Sequence, residues 1–466
     1  MATAELHYLE LNEIAHLIQT RKVSPVEVTQ AQLARIAELD GKLRSYALVT
    51  ADLALEQARR AEEQITRRQY KGALHGVPVG LKDLCYTLGI TTAAGTTVHQ
   101  GFKPTFDGTV VKRLYAAGAI CLGKVQLTEG AFADHHPSVK PPVNPWHPEH
   151  WSGASSSGSG VAAAAGLCYG AIGSDTGGSI RFPCAANGVT GIKPTWGRVS
   201  RYGAFELAAT LDHLGPMGRS ATDCGIMLGA IAGADPDDPT ASQKAVPDYL
   251  LGNDRDLRDL RVGVDERYNS EGVDTAMVRT VHDTARVLAS LGAQMVSVQM
   301  PSVDDMVRDW GAACAVETAV AHEATFPARR VDYGPGLAGF IDSARGISAA
   351  ALHKIGLRRH AFRGRLAALF RDIDLLLIPA QFIPSPTKAQ MATLGQDPNA
   401  LGALIRFTAP FDMSGSPTIT LPSGFTARNT PIAVQLVSAH WGEDLLVRAG
   451  RAYQRETDWH RQHPKL

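Results

Sequence analysis

The thirty residues from Trp151 to Ile180 constrain this chain more than any others, because 21 of them are Ser, Gly or Ala. A stretch so poor in bulk is either a flexible linker or a place where the backbone must come close to something else. Its internal order argues against the linker. Val161-Ala-Ala-Ala-Ala165 is a good helix former, and Tyr169-Gly-Ala-Ile172 is strand-like. On either side of that pair lie two runs rich in serine and glycine, Ser152-Gly-Ala-Ser-Ser-Ser-Gly-Ser-Gly160 and Gly173-Ser-Asp-Thr-Gly-Gly-Ser-Ile-Arg181.

The flanking sequence alternates between helix and strand. Ser24-Pro-Val-Glu27 has the form of a capping box ahead of the apolar run Val28 to Leu39, so a helix is expected there. Further helices are expected over 51–65, 109–117, 278–291, 350–370 and 443–457. Strands are expected over 76–81, 119–122, 260–264, 373–379, 417–422 and 432–437, with Lys82 and Asp83 terminating the first. Residues 133–150, rich in Pro and His, and the loop 235–239 read as irregular. The signals weaken beyond Asp212. Alternation of this kind predicts an α/β fold, and we expect residues 1–466 to form a single large domain with its motif-bearing core at about 70–220.

Composition removes several function classes. The 466 residues carry 46 Lys and Arg against 46 Asp and Glu, which argues against nucleic acid or an anionic membrane as main partner. No uncharged apolar run of 18 residues occurs and no secretory signal is readable, so a cytoplasmic protein is expected. The six cysteines are far apart with no C-x-x-C, so they read as reduced, buried small hydrophobes. His135, His136, His147 and His150 crowd one region without metal-ligand spacing, and neither a metal nor any other cofactor is expected.

Familiar catalytic templates fail on single residues. A P-loop needs Lys after its second glycine, but Gly158 is followed by Ser159 and Gly160. A G-x-S-x-G elbow needs Gly at position 157, which is Ser. Ser385-Pro-Thr-Lys388 fits S-x-x-K, but neither S-D-N nor K-T-G is present. What remains is a Ser-Ser-Lys arrangement, and here the chain resembles the amidase signature family, whose G-S-D-T-G-G-S-I-R run stands letter for letter at 173–181. The Leu81-Lys82-Asp83 strand end, Gly191-Ile-Lys-Pro-Thr-Trp-Gly-Arg-Val199 and Ala433-Val-Gln-Leu436 extend the likeness over most of the chain.

By that resemblance Lys82, Ser155 and Ser179 match the family's catalytic lysine, bridging serine and nucleophilic serine, with Ser155 on a cis peptide bond. The resemblance also implies one α/β/α domain around a large twisted mixed sheet. The residue types suit the chemistry. A serine hydroxyl needs a base, and a lysine serves as one only if burial lowers its pKa from about 10.4. Lys82 follows Val77, Val79 and Leu81, where a desolvated amine is credible. Consecutive backbone N–H groups at Thr176, Gly177, Gly178 and Ser179 can point together at a developing oxyanion. Ser156, Asp175 and Arg181 are expected to brace the site. Phe132, Asp134, His135 and Trp151 are expected beside the substrate.

Two positions depart from the family's usual G-G-S-S-G-G core: Ala154 and Ser157 stand where it has glycines. A positive φ at either would cost about 1 kcal/mol. The expected function is hydrolysis of a small carboxamide through an acyl-enzyme. The alternatives are a glutaminase-like A subunit of a tRNA-dependent amidotransferase and a non-catalytic amide-binding scaffold. A homodimer is left open.

Overall fold

A computed structural model describes residues 6–251, 256–394 and 397–466. Within them runs one sheet of eleven strands: β1 (Tyr46–Val49), β2 (Pro78–Lys82), β3 (Ile120–Val125), β4 (Gly170–Asp175), β5 (Thr190–Lys193), β6 (His213–Gly218), β7 (Arg261–Val264), β8 (Gln294–Ser297), β9 (Leu375–Pro379), β10 (Thr418–Phe425) and β11 (Pro431–Ser438). Their spatial order is β1-β3-β2-β4-β6-β5-β10-β11-β9-β7-β8. Pairing is parallel for β3-β2-β4 and for β9-β7-β8, and antiparallel elsewhere, so the sheet is mixed.

Side-chain alternation makes two cores from one sheet. In β3, Cys121 joins one apolar cluster while Ile120 and Leu122 join the other, and in β4 Ile172 and Ala171 divide the same way. Helices cover both faces. The Pro25–Leu43 helix carries the expected capping box, with the Ser24 hydroxyl accepting from the Glu27 N–H and the Glu27 carboxylate accepting from the Ser24 N–H. It contributes Ile36 and Leu43 to the second cluster, as the 157–164 helix contributes Val161 and its alanines.

The expected fold class stands: an α/β fold with one large mixed sheet. Two differences are physical. β6 reads His-Leu-Gly-Pro-Met-Gly and was not expected as a strand, because Gly and Pro weaken strands. Pro216 is accommodated because β5 pairs only with Met217 and Gly218, so the ladder on that side stops short of it. The edge strands β1 and β8 are largely exposed and carry no buried alternation to read. All six cysteines are free and buried. Among the described residues no helix is long and apolar enough to cross a membrane.

Candidate active site

Lys82 is the last residue of β2, and its side chain is fully buried. Its Nζ lies 2.7 Å from Ser155 Oγ, 2.8 Å from Ser156 Oγ and 2.8 Å from Ser174 Oγ. Burial draws its pKa from the ordinary ammonium range down to about 7, against the opposing pull of Cys85, Asp175 and Asp212. As an ammonium it donates to all three oxygens. As a neutral amine it donates twice and needs one hydroxyl to donate back. Ser156 is committed elsewhere, since its O–H donates to the Ser174 carbonyl at 3.1 Å and its Oγ accepts the Ser174 N–H. The returning hydrogen therefore comes from Ser155 or Ser174.

The Gly153 turn places these serines. Gly153 has φ 82°, and a methyl there would come within 2.4 Å of the Pro183 backbone, so the chain closes against Pro183 only with glycine. The Ala154–Ser155 peptide is cis, as the resemblance implies. Neither Ala154 nor Ser157 has a positive φ, so the two departures from the glycine pattern carry no backbone strain. Ser157 opens the Ser157–Ala164 helix.

Ser179 stands apart from its surroundings. From Ser152 to Thr195 every residue is buried except Ser179, which is partly open to solvent. Its carbonyl accepts from the Ser156 N–H at 3.2 Å, which sets the two serine runs side by side. Among the described residues no hydrogen bond joins Ser155 Oγ to Ser179 Oγ. Contacts of this kind are commonly loose until a ligand arrives.

The loop around Ser179 is held peptide by peptide. The Thr176 carbonyl accepts from Trp310 Nε1 at 2.8 Å, the Gly177 carbonyl from Thr408 Oγ1 at 2.7 Å and the Gly178 carbonyl from the Phe182 N–H at 2.7 Å. In a trans peptide the N–H points opposite to the C=O. The N–H groups of Gly178 and Ile180 accordingly converge on Asp175, at 2.6 and 2.9 Å. Those of Thr176, Gly177 and Ser179 have no acceptor among the described residues. This corrects one expectation, because the Gly178 amide is already used by Asp175. The Thr176 side chain donates to Asp212 Oδ1 at 2.6 Å.

Asp175 and Arg181 pair at this turn. Burial opposes ionisation of Asp175, but the Arg181 guanidinium and the converging amides hold its carboxyl below the usual range. Arg181 pairs with Asp175 at 2.7 Å and also with Asp412 at 2.5 Å, and donates to the Thr408 carbonyl.

The four expected substrate-side residues divide. Trp151 lies against Phe182 with centroids 5.8 Å apart, and His135 Nε2 sits 3.1 Å from Ser157 Oγ. Burial draws His135 down to about 4, so it is neutral. The structure does not bring Phe132 and Asp134 to this group. Phe132 stacks on Phe340 at 4.0 Å, and Asp134 is exposed beside Gly336 of the Pro335–Ser343 helix. Ser174, Asp212, Trp310 and Thr408 were not singled out from sequence. A serine inside a buried strand is a usable signal for Ser174, since it must find a partner. No three His, Cys, Asp or Glu side chains gather to hold a metal among the described residues.

Comparison with known proteins adds three kinds of likeness. Residues 27–447 match the Amidase family. Over 462 residues the chain is 50% identical to the protein called "Putative amidase AmiD" of Mycobacterium tuberculosis, covering 98% of this chain and 96% of the relative. It is 35% identical to the A subunit of the glutamyl-tRNA(Gln) amidotransferase of Pseudomonas fluorescens, covering 98% of this chain and 99% of the relative. The native peptide amidase of Stenotrophomonas maltophilia superposes with a TM-score of 0.83 at 28% identity, covering 98% of each chain.

Proposed function

The chain belongs to the amidase family, and from that premise we propose that it hydrolyses the C–N bond of a linear carboxamide, with Ser179 as nucleophile and Ser155 and Lys82 as its proton relay. One observation carries the reading: a fully buried lysine with its pKa near 7 meets three serine hydroxyls beside the single accessible serine of a buried segment.

Ser179 Oγ forms a bond to the amide carbon while its proton passes through Ser155 Oγ to neutral Lys82. The carbonyl oxygen becomes an oxyanion received by the N–H groups of Gly177 and Ser179, which have no acceptor among the described residues, whereas those of Gly178 and Ile180 are held by Asp175. The C–N bond then breaks as Lys82, again through Ser155, returns the proton to the leaving nitrogen. Water attacks the resulting ester, gives its proton to the same relay and releases the carboxylate, with Ser179 restored.

The identity to an amidotransferase A chain supports a second reading, in which the same site frees ammonia from glutamine for a partner. It ranks behind the first because the 50% relative is named an amidase. A fluorophosphonate probe applied to the purified protein, with peptide mapping and with Lys82→Ala and Ser179→Ala as controls, tests the proposal. Label on Ser179 that both substitutions abolish is the expected result. Label elsewhere, or none, overturns it in favour of a binding scaffold. Ammonia release from simple amides by the chain on its own separates the two enzymatic readings.

A further inference from the structure

We infer that Trp310 is a positioning residue that aims the Gly177 amide at the oxyanion, an inference that rests on Ser179 being the nucleophile. Trp310 lies on the Asp304–Ala321 helix, about 130 residues beyond the loop in sequence. Its indole N–H donates to the Thr176 carbonyl at 2.8 Å. That bond fixes the plane of the 176–177 peptide, and planarity sends the Gly177 N–H the opposite way. The ring also lies flush on Gly177: a methyl there would come within 2.4 Å of the indole.

The other peptides of the loop take their orientation from nearer or separate anchors. The 177–178 peptide is set by Thr408 and Asp175, and the 178–179 peptide by the Phe182 N–H one turn on. The 179–180 peptide is set by the Ser156 N–H and by Asp175. Only the 176–177 peptide takes its orientation from the Trp310 side chain. One of the free amides of the loop thus depends on a residue that touches neither the reacting hydroxyls nor Lys82. An amide turned away from the oxyanion weakens the transition state and leaves the ground-state amide bound as before.

Trp310→Phe keeps a ring over Gly177 and removes the donor. We expect the rate of Ser179 phosphonylation by the fluorophosphonate, and kcat for any amide turned over, to fall by about 10- to 100-fold. KM and the pH at which activity rises should not move, which a general loosening of the site would not leave intact. If the Phe variant does not fold, β-(3-benzothienyl)alanine at position 310 reproduces the indole shape without its N–H and should give the same loss. Unchanged phosphonylation in a folded variant, or a loss shared equally by KM, overturns the inference. Absence of label on Ser179 in the unmodified protein instead overturns the reading beneath it.

Discussion

Lys82 and Lys193 make an instructive pair. Each is the last residue of a buried strand, each is fully buried, and burial draws each down to about 7. Their partners differ. Lys82 meets three hydroxyls, whereas Lys193 meets the carbonyl oxygens of Ser416 at 2.7 Å and Pro194 at 3.2 Å. A hydroxyl both donates and accepts, so it satisfies the amine in either protonation state; a carbonyl only accepts and leaves a neutral amine's lone pair unanswered. Lys193 also has Asp412 near it as a counter-charge. A lowered pKa by itself therefore does not mark a catalytic lysine; the chemistry of the atoms around it does.

The largest expected effect breaks this pair apart. Lys82→Met should lower kcat by about 10²- to 10⁴-fold, the range for loss of a general base. Lys193→Met should instead lower stability by about 1–3 kcal/mol, because two buried carbonyls lose their donor. Steady-state kinetics and denaturant unfolding on both variants check this. If Lys193→Met removed the rise of activity near pH 7 while leaving stability intact, the distinction by partner chemistry would fail.

A smaller effect sharpens the Lys82 half. Only the neutral amine accepts the Ser155 proton, so kcat/KM should rise tenfold per pH unit below about 7 and level off above it. Ser174→Ala removes an acceptor that favours the ammonium. The lysine should then lose its proton more readily, and the rising limb should move to lower pH by about one unit. A limb that stayed in place would mean that Ser174 contributes nothing to the lysine's charge state.

How much of this was legible follows from where each signal sits. The Pro25–Leu43 helix announced itself because its capping residues are adjacent in sequence. Lys82, Ser155 and Ser179 could be singled out because each lies in a short motif, and the structure carries the first two into contact. The Asp304–Ala321 helix gave no signal. Other helices pack on it (335–343, 349–369 and 409–414), so its buried residues Met306, Asp309, Ala313, Cys314, Ala315 and Thr318 form no clean stripe. With the helix unseen, Trp310 could not be assigned to the loop it holds. Phe132 and Asp134 lie apart from the serine cluster for a related reason. Proximity in sequence to the serine run set the expectation, but the Phe132 ring found its apolar partner in Phe340.

The smallest expected effect concerns the residue that departs most visibly from the family pattern. Ser157 carries a hydroxyl like those of Ser155 and Ser156, two and one residues before it, but that hydroxyl meets neutral His135 instead of Lys82. Its backbone is helical and needs no glycine. Ser157→Gly should leave kcat within about twofold and lower stability by about 0.5–1.5 kcal/mol through the lost hydrogen bond, read from thermal unfolding beside a progress curve. A tenfold fall in kcat at unchanged stability would give the opposite lesson. The His135–Ser157 pair would then belong with the relay, and contact with Lys82 would no longer separate working hydroxyls from structural ones.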